Sequence, residues 1–476
     1  MRPLWMERDQ SACAGGKRAR SVVACAALSA AVVATLAGAA SRASASVTGF
    51  GGAGMTGWTA NGTNNGNAAN NSSPPTVTGT GTAADMLNIT DSVNGLSRSY
   101  FFNTPQPLTN GGWTASFTYN FSGATSATPA DGVAFVIQND PRGATAVGSG
   151  GGQLGFGGAA AVGPGVVKSQ AVEWSVFGNN TGFFQNAGAG NGFISTINPS
   201  ANVTGAGTNF RTVNNPYNFT LTYNGANQIT ETITDTVTPG NSFTRSYPVP
   251  NTARQLGTNE FLVGFTGGTG GFNAAEQISN FSFTTSGAQV AAPTIVPILK
   301  ATDTVTAVHL NAASGQADPA TGTAEGPDKA LDGNASTKYL NQNGTRPGGV
   351  GNSGIVVTPG VGNSIVTALS LTSANDTPTR DPASYEVWGS NDGTNFNLIS
   401  AGTMAAFDNR QNIQDFDFAN TTQYSTYRVN FPTQGSSTLF QIADIQLYGV
   451  VVPEPTSFAA LGAAGVLMLA RRRREA

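Results

Sequence analysis

The chain has 476 residues, 61 of them Gly, and Asp, Glu, Lys and Arg make up only 10%, against roughly 25% in an ordinary globular protein. The formal charge is −3, and the length predicts two or three domains, each able to bury a core. Both cysteines, Cys13 and Cys25, lie near the start and His309 is the only histidine, which excludes disulfide frameworks, Cys nucleophiles, Cys/His zinc sites and multi-His metal centres from the body.

Taken in chain order, the basic stretch Gly16 to Arg20 is followed by the small, apolar run Ser21 to Ala40 and by Ala43-Ser44-Ala45. That order predicts a secretory signal peptide over residues 1–45, cleaved at an A-x-A site. A retained membrane anchor is the alternative, since the apolar run is long enough to span. Ten of the 23 Lys and Arg and four of the 26 Asp and Glu lie in the two ends, leaving a body of about −9. An acidic body without basic runs makes nucleic acid a poor partner, because phosphate binding needs clustered cations.

Helical periodicity is nearly absent beyond this point. Residues 60–75, rich in Asn and Gly, read as a long loop. Trp113, Ala115, Phe117, Tyr119 and Phe121 form a period-two face, as do Phe219, Leu221 and Tyr223 before the Asn224-Gly225 turn, then Ile229 and Ile233. Phe261, Val263 and Phe265 make another, and Phe281 with Phe283 closes the series. Short alternating strands between Gly/Asn/Thr-rich turns predict an all-β antiparallel sandwich over residues 46–290. Pro293 and Pro297 mark 291–299 as a linker, and a second alternating block follows over 300–450.

The first block carries Ala130-Asp131-Gly132-Val133-Ala134-Phe135-Val136-Ile137, then Gly150-Gly151-Gly152-Gln153-Leu154-Gly155, Ala171-Val172-Glu173-Trp174, and Val263-Gly264-Phe265-Thr266-Gly267-Gly268. In order and spacing it resembles the legume-type (L-type) lectins, whose fold is the concanavalin-like sandwich. A sugar offers ring hydroxyls and an apolar face. A carboxylate accepts the hydroxyl protons, glycine lets backbone N–H groups approach, and an aromatic covers the face. The resemblance places these roles on Asp131, on Gly151 or Gly152, on Phe177 and on Asn179, and it implies a cis Ala130–Asp131 bond. The sequence departs from the family at its metals. Members with metals read V-E-F-D-x-x-x-N followed by further Asp and His. Here Glu173 and Asn179 are kept, Ser175 stands in place of the bridging Asp, and no His follows. A working lectin domain and a degenerate, structural one both stay open.

The same sandwich serves some glycoside hydrolases, whose E-x-D-x-E triplet is absent here. The close acidic pairs Glu231/Asp235 and Asp415/Asp417 read as exposed strand faces, and hydrolysis needs two opposed carboxylates in a cleft. The glycine run at 148–158 lacks the Lys-Ser/Thr of a phosphate loop. No enzymatic activity is expected.

The second block carries Glu325 to Asn334, Ser336 to Asn341, Arg380 to Gly393, Tyr427-Arg428-Val429 and Gln441 to Gly449. It resembles the discoidin-like (coagulation factor five/eight type C) jelly-roll, in the branch containing carbohydrate-binding modules. The resemblance implies a structural Ca2+ held by Asp332, Asn334, Thr337 and Asp444 with backbone carbonyls. The alternative is a metal-free Asp332-Gly333 turn. Trp388 reads as packing within a strand, and His309 as a surface or satisfied residue.

Val452-Pro453-Glu454-Pro455, the apolar run Phe458 to Ala470 and Arg471 to Arg474 resemble a PEP-CTERM sorting tail over 452–476. Thirteen helical residues reach about 20 Å, short of a hydrocarbon core. The resemblance implies an exosortase partner, transient contact with the inner membrane, and processing. The whole reads as an exported, non-catalytic protein at the surface or in the extracellular matrix of a Gram-negative-type bacterium, binding glycans or exopolysaccharide. A structural or adhesive matrix protein is the alternative.

Overall fold

The computed structural model describes residues 44–64, 73–124, 128–158, 165–186, 212–249, 251–309, 320–341, 353–407 and 410–452. The leader through residue 43, the tail from 453 and the side chain of His309 lie outside the described residues. The first strands are β1 (Ser46–Thr48), β2 (Trp58–Asn64), β3 (Thr76–Thr78), β4 (Met86–Asn88) and β5 (Leu96–Phe102). They are followed by β6 (Gln106–Pro107), β7 (Trp113–Ser122), β8 (Gly132–Gln138), β9 (Ser169–Ser175) and β10 (Asn180–Gln185). Then come β11 (Tyr217–Tyr223), β12 (Gln228–Asp235), β13 (Ser242–Pro248), a short helix α1 (Thr252–Leu256), β14 (Glu260–Gly268) and β15 (Ala275–Thr285).

These strands make two antiparallel sheets. One runs β13-β12-β11-β7-β15-β4-β3 with β1 on β15; the other runs β10-β9-β8-β14-β5-β2 with β6 on β14. The alternation of β7 is realised in full: Trp113, Ala115, Phe117, Tyr119 and Phe121 are buried while the residues between them are half-exposed. Phe117 sits at the centre, stacked on Trp174 at 5.2 Å and Phe219 at 5.1 Å, with Phe265 edge-on at 5.1 Å. Aromatic pairs in these geometries add to the stabilisation from area burial. By contrast β8 and β9 are buried on both faces. Their outer face is covered by a second cluster of Phe101, Ala134, Val136, Ala146, Phe156, Val166 and Ala171, so the glycine-rich stretch is folded down onto the sheet.

The second sandwich comprises β16 (Val296–Pro297), β17 (Thr304–His309), β18 (Tyr339–Asn341), β19 (Ser353–Thr358), β20 (Ser364–Thr372) and β21 (Ser384–Ser390). It continues with β22 (Asn397–Thr403), β23 (Ile413–Asp417), β24 (Thr426–Phe431), β25 (Phe440–Ile442) and β26 (Asp444–Val451). Sheets β16-β26-β20-β23 and β17-β19-β24-β21-β22 enclose the core, and β18 pairs with β25. The all-β expectation holds. Trp388 is half-buried: its indole N–H donates to Glu386 at 2.9 Å and its ring lies 4.9 Å from the Arg428 guanidinium.

Three expectations are corrected. Residues 60–64, read as loop, belong to β2, where β5 supplies backbone partners and Asn61 donates to Ser99 and to the Ala144 carbonyl. Residues 296–299, read as linker, belong to the second sandwich: Val296 and Pro297 pair with β26, and Ile298 and Leu299 enter its core. The acidic pairs are not solvent-facing strand faces. Glu231 points inward with Ile229 and Ile233 and accepts from Thr181 and Tyr247. Asp235 is buried, accepting from the amides of Val237 and Thr238. Asp415 is buried against Arg254 at 3.5 Å, leaving Asp417 alone of the four exposed.

That last contact joins the sandwiches. Arg254, on α1 of the first, pairs with Asp415 and Asp417 on β23 of the second and lies 5.4 Å from the Tyr448 ring. Gln255 donates to both Asp415 oxygens at 3.3 Å. Beside this clamp a cavity of about 450 Å³ lies between Pro248 and Val249 on one side and Ala405, Ala406 and Asn412 to Phe416 on the other.

Candidate functional site

The site begins where β8 begins. Gly132 has φ of 154°, and a Cβ there would lie 2.3 Å from the Trp174 carbonyl oxygen, so only glycine lets the strand pass this close to β9. The preceding Ala130–Asp131 peptide is cis. Three hydrogen bonds fix the Asp131 backbone. Its N–H donates to the Gly268 carbonyl at 3.2 Å, and its carbonyl accepts from the Ser175 hydroxyl at 2.9 Å and the Phe177 N–H at 3.2 Å. Ser175 Oγ also accepts from the Gly178 N–H at 2.8 Å.

The Asp131 side chain is only 4% exposed, and Oδ2 has no hydrogen-bond partner among the described residues. Burial pushes the carboxyl up to about 7, partly offset by the facing Gly270 amide. A buried carboxylate oxygen without a partner is costly unless a donor arrives. Gly151, with φ of 60°, donates its N–H to Thr269 at 3.0 Å. A Cβ on Gly270 would lie 3.0 Å from Asp131 Oδ2 and 3.4 Å from Gly151 Cα, so Asp131, Gly151 and Gly270 converge. Gly152, next along the turn, is half-exposed.

Phe177 is half-buried and lies 6.2 Å from Phe272, the rings near parallel at 21°. Phe272 is 45% exposed. Asn179 is buried in the left-handed region, closing the turn that Ser175 anchors just before β10. Gly270 and Phe272 were missed in the sequence, although Thr269-Gly270-Gly271-Phe272 directly continues a glycine-rich motif already singled out. Behind Asp131, Glu276 accepts from Tyr119 and Thr90 at 3.0 Å. Burial, with Asp131's charge adding to it, pushes Glu276 up to about 8.

In the second sandwich the loop 332–337 meets the start of β26. Thr337 donates to Asp332 at 2.8 Å and the Asn334 N–H donates to Asp332 at 2.9 Å. The Gly333 N–H donates to Asp444 at 3.2 Å. Burial and the neighbouring Asp332 carboxylate push Asp444 up to about 7. The four residues singled out in the sequence are thus brought together.

Residues 66–296 match the legume lectin domain. No curated protein matches this chain. Similar solved structures include the winged bean acidic lectin complexed with methyl-α-D-galactose, at 16% identity, covering 52% of this chain and 100% of that one, with a TM-score of 0.37. Lectin II from Ulex europaeus is 14% identical, with 52% and 99% covered and a TM-score of 0.37. A family 32 carbohydrate-binding module of Clostridium perfringens NanJ, in complex with galactose, is 16% identical, with 32% and 98% covered and a TM-score of 0.26.

In the matched segment the residues present do not fit the cations that the resemblance implies. Among the described residues no three His, Cys, Asp or Glu side chains cluster. The stretches of the domain outside the described residues contain none of these types. Ser175, where the bridging carboxylate would stand, uses its hydroxyl on Asp131 and Gly178. The loop of the second sandwich does fit a hard cation in its donor chemistry: two carboxylates, an amide oxygen and a hydroxyl meet there, as Ca2+ prefers.

Proposed function

We propose that this chain is a non-catalytic carbohydrate-binding protein whose first sandwich grips a sugar at Asp131. The observation that carries the reading is the buried Asp131 Oδ2, without a hydrogen-bond partner among the described residues, set among Gly151 and Gly270 and beside the Phe177–Phe272 pair. A sugar hydroxyl supplies the donor the carboxylate lacks, the glycines leave room for the ring, and the aromatic pair covers its apolar face. Gly151, Gly152, Phe177 and Asn179 line or support this pocket. The second sandwich is read as a discoidin-like carbohydrate-binding module, its loop held by Ca2+ through Asp332, Asn334, Thr337 and Asp444. The bound cation would neutralise the two carboxylates and stiffen the loop.

Export through the 1–45 leader, exosortase processing at the 452–476 tail and a place at the cell surface or in the matrix complete the proposal. Exopolysaccharide is the natural ligand class. That Glu231, Asp235 and Asp415, from the two close acidic pairs of the sequence, are each buried and engaged supports a non-catalytic role over hydrolysis. The test is a glycan array probed with the full chain, galactose and GalNAc-β1,3-galactose included. Binding that Asp131→Ala abolishes supports the reading. Binding that Asp131→Ala leaves intact assigns recognition to the second sandwich, and no binding to any glycan favours the structural matrix protein, which the lost metal ligands also suit.

A further inference from the structure

We propose that the Asp131 pocket is a cation-independent sugar site in which the Ser175 hydroxyl performs the organising task of a metal. The inference rests on the reading of Asp131 as a sugar-binding residue. A serine hydroxyl has one proton to give and two lone pairs to share. Here the proton goes to the Asp131 carbonyl at 2.9 Å, and a lone pair takes the Gly178 N–H at 2.8 Å. One side chain therefore ties together the end of β9, the loop entering β8 and the turn that carries Phe177 and Asn179.

The Asp131 carbonyl also accepts from the Phe177 N–H, so both its lone pairs are occupied and it has little left to offer a cation. Backbone bonds join the remaining loops to the site: Asp131 N–H to Gly268, and Gly151 N–H to Thr269. A hard divalent ion needs six to eight oxygens, several of them charged. Glu173 and Asp131 are the only carboxylates on these segments. Residues 65–72, 125–127, 159–164, 187–211 and 250 add no Asp, Glu, His or Cys, so the stretches of the domain outside the described residues hold no further ligand of these types.

Ser175 is thus a positioning residue. It touches no sugar, but it sets the plane of the Asp131 backbone and the approach of Phe177. An aspartate in its place would have no proton to give the Asp131 carbonyl, so the cation-free arrangement specifically requires a hydroxyl.

The experiment uses the full chain and two readouts. On galactose–agarose, retention should be unchanged by excess EDTA and lost in Asp131→Ala. It should weaken about tenfold in Ser175→Ala, the loss of one buried hydrogen bond, with no rescue by added Ca2+ or Mn2+. Ser175→Thr, which keeps the hydroxyl, should bind within about twofold of wild type. Retention that needs Asp131 yet disappears in EDTA overturns the proposal, as does metal rescue of Ser175→Ala. In parallel, Ca2+ and Mn2+ are titrated calorimetrically into the full chain carrying Asp332→Asn and Asp444→Asn. No binding is expected, and one bound equivalent overturns the proposal. If galactose is not retained at all, the galactose form of the functional reading fails, while the metal titration still decides this inference by itself.

Discussion

A carboxyl with its pKa near 7 makes Asp131 sensitive to ordinary changes of pH. Only the ionised form can accept two hydroxyl protons, so sugar affinity should fall as pH drops through about 7, approaching tenfold per pH unit below it. Isothermal titration of an array-identified glycan between pH 5 and 8.5 checks this; an affinity that rises on acidification excludes the carboxylate as acceptor. Stability runs the other way. Asp131, Glu231 and Glu276 have folded pKa values raised from 3.8, 4.5 and 4.5 to about 7, 7 and 8, with burial the leading cause for each. The folded chain therefore binds more protons than the unfolded one between about pH 4 and 8, and stability declines as pH rises through that window. Replacing Glu276 with Gln removes a charge that is buried above pH 8. Its thermal midpoint should match or exceed wild type at pH 8.5, and the decline above pH 7 should flatten. A midpoint that falls equally at pH 5 and 8.5 would show that Tyr119 and Thr90 need the carboxylate itself.

At the scale of the element, the pocket is made by turns, and turns tolerate little added volume. Gly270 has no left-handed backbone to protect, so Gly270→Ala should fold normally. Its methyl would stand 3.0 Å from Asp131 Oδ2, where a sugar hydroxyl belongs, and affinity should drop at least about tenfold, the worth of one charged hydrogen bond. Unchanged affinity would move the sugar away from Oδ2. The strands that frame these turns were the most legible part of the sequence. β7 and β11 place apolar residues at every second position, and burial follows that period. β2 was illegible because Asn, Gly and Thr carry no apolar phase; its order comes from β5, some 35 residues away. Glu231 was misread for the same kind of reason. It keeps the inward phase of Ile229 and Ile233, and only distant Thr181 and Tyr247 make burial of its carboxyl tolerable. The pairing of Phe272 with Phe177 spans 95 positions, beyond the reach of local pattern, whereas Asp131 and the glycine turn were visible as contiguous motifs.

At the scale of the molecule, the two sandwiches are held by more than the chain between them. Arg254 is only 3% exposed and sits between the carboxylates of Asp415 and Asp417 and the Tyr448 ring. Breaking a buried pair by removing one partner is strongly destabilising, because the charge left behind stays desolvated. Arg254→Ala should therefore loosen the junction without unfolding either core, and scanning calorimetry should resolve two transitions where the wild type shows greater coupling. A single unchanged transition would mean that the sandwiches are coupled elsewhere.

The clamp also bears on how the protein meets a polymer. If each sandwich holds one stretch of the same polysaccharide, the second engagement is intramolecular, and its strength depends on effective concentration more than on new contacts. A fixed junction narrows the range of separations between the two grips, favouring chains whose repeat and curvature fit that span and penalising those that do not. With the clamp intact, avidity for a matching polymer should exceed the affinity for its single sugars by a margin that Arg254→Ala reduces, while monosaccharide affinity stays the same. Arg254, remote from Asp131 in sequence and bound to no sugar, would then set which polymers are held.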